Sequence, residues 1–169
     1  MAVPWPLTSA AGFLAGASLY RQAGYRGELV VLAVRAADSR QGTATRYAQV
    51  SRYGVPARFT ATAGHDACFA VLAETIALAE QMTVVDEVVV MRRDTHCLYR
   101  NPLTDQGWTR SPAAGLAVIA EHYRPYTSEE AAVFWAAQHR LHTVVPLYRD
   151  GLVAIAGPAC PLMPAQRPH

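Results

Sequence analysis

Thr43-Ala44-Thr45-Arg46-Tyr47-Ala48-Gln49-Val50-Ser51-Arg52-Tyr53-Gly54-Val55-Pro56-Ala57-Arg58-Phe59-Thr60-Ala61-Thr62-Ala63 decides the topology, because it joins an apolar run to the longest helical pattern in the chain. Residues 43–53 alternate loosely between apolar and polar, Gly54-Val55-Pro56 is turn chemistry, and residues 57–63 resume the alternation. At period two the stretch predicts two strands in a meander. Upstream, residues 28–36 (Glu-Leu-Val-Val-Leu-Ala-Val-Arg-Ala) form a β-branched apolar run closed by Asp38-Ser39-Arg40-Gln41-Gly42, which predicts a buried first strand. Downstream, over residues 65–82, the period changes: Phe69, Leu72, Ala73, Ile76, Ala79 and Glu80 fall on helical spacing, and Asp66 sits where a carboxylate complements the helix dipole.

The flanks extend this pattern. Residues 8–23 predict a helix capped by Ser9, with Phe13, Leu14, Ala17 and Tyr20 on its stripe and Gly24 as its stop. Residues 87–91 predict a fourth strand ended by Arg92-Arg93-Asp94, residues 95–99 a helical turn, and residues 101–110 a polar loop. Ser111-Pro112 opens a helix to about Tyr123, and Thr127-Ser128-Glu129-Glu130 caps another over residues 131–140. Residues 143–148 and 152–156 flank Asp150-Gly151, a hairpin signal that predicts a fifth strand and its return. Prolines punctuate the end of the chain and predict a frayed tail. The organisation is a helical extension over residues 1–26, one α/β domain over 27–157 and a Pro-rich tail over 158–169.

A chain of 169 residues with 51% hydrophobic and 17% charged residues can bury one core, which excludes a disordered chain. The net charge of +2 is too small for bulk attraction to nucleic acid or membrane, and every basic residue is arginine. Cys68, Cys97 and Cys160 cannot all pair within the chain, so a reducing, cytoplasmic setting is expected. Residues 13–20 are too short for a membrane span, and residues 1–6 lack the basic start of a signal peptide.

Helix, three strands, long helix, strand, helices and strand, in that order, resemble the ribonuclease H-like fold. The resemblance rests on residues 47–54 as second strand, 65–72 opening the helix, 88–95 as fourth strand and 139–145 as fifth. It implies an α/β mixed sheet with a three-strand antiparallel meander, a long helix and parallel fourth and fifth strands, plus the N-terminal helix. The fourth strand would lie parallel to the first. The resemblance further implies two Mg²⁺ ions for phosphodiester cleavage, held by Asp94 and Asp38 with Asp66 and Asp150 as further catalytic carboxylates. Cys68 stands at the family's helix glutamate, so the implied nuclease site is depleted. The alternative is a non-catalytic scaffold of the same fold that binds a protein, a nucleic acid or its own copies through the N-terminal helix.

Arg92, Arg93 and Arg100, with Tyr99 and Trp108 nearby, suit phosphate contact and base stacking. The opposing and favoured reading is a solvated rim paired with Asp86, Glu87 and Asp94. His65, Cys68, His96 and Cys97 are ligand types for Zn²⁺, and Cys68 one turn from His65 could make a nucleophile–base pair; the opposing reading is a small buried cysteine beside ordinary histidines. No Gly-rich phosphate loop, Gly-x-Ser-x-Gly elbow or dinucleotide fingerprint occurs, so nucleotide-driven chemistry lacks its usual signal.

Overall fold

Two apolar runs pair first. The computed structural model describes residues 3, 7, 9–54, 56–57, 59–60 and 62–165. In it β1 (Glu28–Leu32) and β2 (Glu87–Met91) lie side by side and parallel, with Val30 opposite Val89, as expected from their sequences. Parallel neighbours need a long connection, and here the chain runs through α2 (Ala36–Ser51) and α3 (Thr62–Gln81). β3 (Cys97–Thr104) pairs antiparallel with β2, and β4 (Gly107–Trp108) with β3, giving a mixed α/β sheet of order β1-β2-β3-β4. α1 (Ala10–Gln22) precedes the sheet; α4 (Ala114–His122), α5 (Ser128–Val144) and α6 (Arg149–Ala156) follow it. The chain divides into two compact units, Met1–Val34 with Asp66–His122 and Arg35–His65 with Tyr123–His169. Among the described residues no helix is long and apolar enough to cross a membrane.

The first unit is built on β2, whose Val88 and Val90 are fully buried between Ile76 and Ala79 of α3, Ala114 and Val118 of α4, and Tyr99 of β3. Ser9 caps α1 by accepting from Gly12 N (3.1 Å), and Phe13, Leu14 and Ala17 lean on this same core. These three side chains are only partly buried there, and Leu19 and Tyr20 of the same helix are exposed. Glu80 of α3 is fully buried, and donors surround it. Tyr99 Oη (2.5 Å) and Asn101 Nδ2 (2.6 Å) donate to Oε1, and Ala114 N (3.0 Å) donates to Oε2. Burial, reinforced by Glu80, pushes the Tyr99 phenol up to about 12.

The second unit is helical. α2 contributes Ala37, Ala44 and Ala48, α5 contributes Ala131, Phe134 and Leu141, and α6 contributes Leu152 and Ile155. A polar seam crosses it: Gln41 Nε2 donates to Phe134 O (3.0 Å) and Gln138 Oε1 (3.1 Å), and Gln138 Nε2 donates to Leu152 O. Each buried amide is thus answered, which keeps the seam from costing stability.

The expected antiparallel meander is absent. Residues 43–51 are helical, because Ala37, Gln41, Ala44 and Ala48 recur at helical spacing on one buried stripe. Their β-branched neighbours do not resist: Thr43 Oγ1 donates to Arg40 O (2.7 Å) and Thr45 Oγ1 to Gln41 O (2.8 Å), the back-bonding a helix offers a threonine. Residues 57, 59 and 60 carry no regular structure, and 58 and 61 lie outside the described residues. Residues 97–104 form β3 rather than a helical turn and loop. The expected fifth strand is also absent: residues 143–156 hold the end of α5, a 3₁₀ turn (Pro146–Tyr148) and α6. The start of the proline-rich end is tied down as far as Met163, with Tyr126 N donating to Leu162 O (2.8 Å), Met163 N to Cys160 O (3.3 Å) and Ala159 buried.

At Gly115 a Cβ would stand 2.8 Å from Ala73 O and 3.0 Å from Ala77 Cβ, so α4 approaches α3 through glycine. Gly115→Val is expected to destabilise the protein by about 1–3 kcal/mol. Thermal unfolding should record a lower Tm of several degrees; an unchanged Tm would contradict this packing.

Candidate functional site

β1 leads through Ala33 and Val34 to Arg35, the residue before α2, and here the second unit gathers its charge. Arg35 is buried, with its guanidinium 3.5 Å from the Tyr126 ring centroid. Its Nε donates to Asp38 Oδ2 (2.6 Å), one turn into α2, and its Nη1 donates to Glu130 Oε2 (3.2 Å) at the start of α5. Tyr126 Oη donates to the other Asp38 oxygen (2.8 Å), and Arg124 Nη2 donates to Glu130 Oε1 (2.6 Å). Burial and the Asp38 charge raise the Tyr126 phenol well above its ordinary value, so it serves as a donor and not as a base. Thr127 and Glu130 close a reciprocal capping box beneath this cluster.

The two guanidiniums and two carboxylates balance, and together they order the starts of α2 and α5. Ser39 Oγ lies 2.8 Å from His65 Nε2 in the same unit. The capping box was readable as Thr127-x-x-Glu130, whereas Arg35, Tyr126 and Arg124 carried no motif that sets them apart in sequence.

The candidates from sequence are distributed differently. Asp38 and Asp150 fall in the second unit and Asp66 and Asp94 in the first. Asp38 is bound to Arg35 and Tyr126, and Asp150 is exposed in the first turn of α6. Asp94 is exposed in the turn after β2, where its Oδ1 accepts from His96 N (3.0 Å), and Asp66 lies on α3. Cys68 is half-buried on α3, with His96 and Cys97 exposed at the β3 end. Among the described residues no three His, Cys, Asp or Glu side chains gather as a metal ion would require.

The supposed nucleic-acid edge is engaged in the fold. Arg92 Nη2 donates to Glu121 Oε2 (2.8 Å), and Arg100 pairs with Glu87, whose carboxyl this contact holds below its ordinary value. Trp108 Nε1 donates to Glu80 O (2.7 Å), and its ring packs on the first unit's core. Arg93 is exposed.

Hydrogen bonds from Arg124, with help from Thr127 N and Arg35, outweigh burial and hold Glu130 below its ordinary 4.5. A lowered carboxylate contributes stability that is complete above about pH 5 and is lost progressively as pH falls from its unfolded value toward its lower folded one. Glu130→Gln is expected to cost about 1 kcal/mol at pH 7, the pair being partly exposed and screened. It should also flatten the decline of the urea midpoint between pH 5 and pH 3. An equally steep decline in the variant would contradict this assignment.

Comparison with known proteins corrects the family resemblance. The Zeta toxin family model matches residues 7–104. No curated protein matches. Among solved structures, one chain comes from the work on the PezAT chromosomal toxin-antitoxin system of the human pathogen Streptococcus pneumoniae. It superposes with a TM-score of 0.63 at 16% identity, over 83% of this chain and 53% of that chain. The present chain thus spans about half the length of that one, and the likeness concerns the fold. These matches overturn the ribonuclease H-like assignment, and with it the nuclease function and the nucleic-acid partner. Mg²⁺ at Asp38 and Asp94 had no other ground than that resemblance. With more than half of its length matched by the family model, the chain belongs to the Zeta toxin family.

Proposed function

We propose that the chain serves as the toxin of a toxin–antitoxin pair, of kinase type, restrained by a protein antitoxin. The observation that carries this reading is the family match over residues 7–104, which takes in the parallel pair β1–β2 and the helices between them. Sheets of this kind take their ligands beyond the carboxyl ends of parallel strands. β2 ends on Met91 and is followed by Arg92-Arg93, of which Arg93 is exposed. Phosphoryl transfer depends chiefly on positioning and on cations that meet developing charge, a task for which the planar guanidinium is suited. The sequence has neither lysine nor a Gly-rich phosphate loop, so arginine is the permanently cationic side chain this chain can offer a phosphate.

The test is a chimera in which residues 7–104 of this chain replace the matching segment of the solved Streptococcus pneumoniae chain. A folded chimera is expected to arrest bacterial growth, to consume ATP and to leave cellular RNA and DNA intact, with growth restored by the antitoxin of that system. A folded chimera that is harmless, or that arrests growth by cutting RNA, would contradict the proposal.

A further inference from the structure

The hydroxyls of Thr43 and Thr45 in α2, Thr75 in α3 and Thr143 in α5 turn back onto carbonyls of their own helices, the ordinary fate of a hydroxyl on a helix. Ser39 departs from that pattern. Its Oγ lies 2.8 Å from Nε2 of His65, near the start of α3, so two stretches far apart in sequence bring a hydroxyl and an imidazole within hydrogen-bond reach inside the second unit. Both side chains are half-buried and so partly open to solvent. With the ring proton on Nδ1, Nε2 accepts the Ser39 O–H, which is the arrangement of a nucleophile and its base. The sequence offers Cys68 as the partner of His65 in such a pair; the structure sets Ser39 there. The position of Ser39 selects the group it can receive. It closes the first turn of α2, and the N–H groups that follow it belong to the helix ladder. An acyl oxyanion therefore finds no free pair of backbone N–H groups beside this hydroxyl, as it does at a strand-to-helix elbow. A phosphoryl group brings negative charge, which the positive end of a helix favours. The neighbouring carboxylate of Asp38 is already met by Arg35 and Tyr126.

We propose that Ser39 is an internal phosphoryl acceptor with His65 as its general base, the donor being a nucleoside triphosphate; this deepens the kinase-type reading above and rests on it. His65 Nε2 takes the proton from Ser39 Oγ as that oxygen attacks the γ-phosphorus. The bond between the γ-phosphorus and the bridging oxygen breaks, and the nucleoside diphosphate leaves with the electron pair of that bond. The product is a phosphoserine beside a protonated imidazole, joined by a charge-assisted hydrogen bond that fastens α2 to the start of α3.

To test the pair itself, the full chain is treated with a fluorophosphonate, whose tetrahedral phosphorus and fluoride leaving group require no nucleotide site, and the adduct is mapped by mass spectrometry. Ser39 is expected to be labelled at least tenfold faster than the exposed Ser51 of the same helix, and Ser39→Ala to remove the label. His65→Gln keeps a hydrogen-bonding side chain but accepts no proton, so Tm should hold while labelling slows about 100-fold. To test the donor, the chimera described above, which carries both residues, is incubated with ATP labelled on the γ-phosphorus. Phosphate is expected on Ser39 and is expected to be absent when the chimera carries Ser39→Ala or His65→Gln. No preference for Ser39 in the chain, or labelling indifferent to His65→Gln, would overturn the proposal whatever the chimera does. A chimera that consumes ATP and arrests growth yet carries no phosphate on Ser39 would overturn it and leave the toxin reading standing. A folded chimera without kinase activity removes the donor and overturns both.

Discussion

The buried carboxylate of Glu80 holds the first unit together. It sits near the end of α3 and gathers donors from β3 and from the first residue of α4, so three elements distant in sequence meet at one side chain. A charge removed from water is tolerated only where hydrogen bonds replace the solvent, and Tyr99, Asn101 and Ala114 supply them. Its backbone carbonyl extends the same junction by accepting from Trp108. With β3 fixed against α3, β2 becomes an internal strand and β1 is left at the edge.

Those elements whose residues admit one period were legible in the sequence. Residues 28–32 and 87–91 are β-branched and bounded by polar or turn residues, and they pair in parallel as expected. α3 keeps its apolar residues on helical spacing, and α5 announces its start with Thr127 and Glu130. α2 was not legible, because alanine and threonine satisfy a period of two about as well as one of 3.6. Only the tertiary burial of Ala37, Gln41, Ala44 and Ala48 decides between them. Asp150-Gly151 misled for a related reason. The aspartate occupies the first turn of a helix, and a Cβ on the glycine would come within 3.2 Å of Phe59, so its small size serves a close approach instead of a hairpin.

One misread segment redirected the functional reading. With residues 43–63 as strands, the parallel pair β1–β2 fits a ribonuclease H-like sheet, and Asp38 becomes a strand-end metal ligand. With residues 36–51 as a helix, the same pair becomes a parallel unit joined through helices, and Asp38 becomes a first-turn carboxylate bound to Arg35 and Tyr126. The arginines after β2 change meaning likewise, since Glu121 and Glu87 already engage Arg92 and Arg100. What remains is an α/β toxin-family chain whose charge cluster was hidden because its members, Arg35, Arg124, Tyr126 and Glu130, come from separate stretches of sequence.

The most direct measurement of this account is backbone NMR of the isotope-labelled chain. Carbon chemical shifts over residues 43–51 should be helical, and amide contacts should join Val30 with Val89 in a parallel register. Strand-like shifts over residues 43–53, with antiparallel contacts to residues 28–32, would contradict the helical crossover that joins β1 to β2.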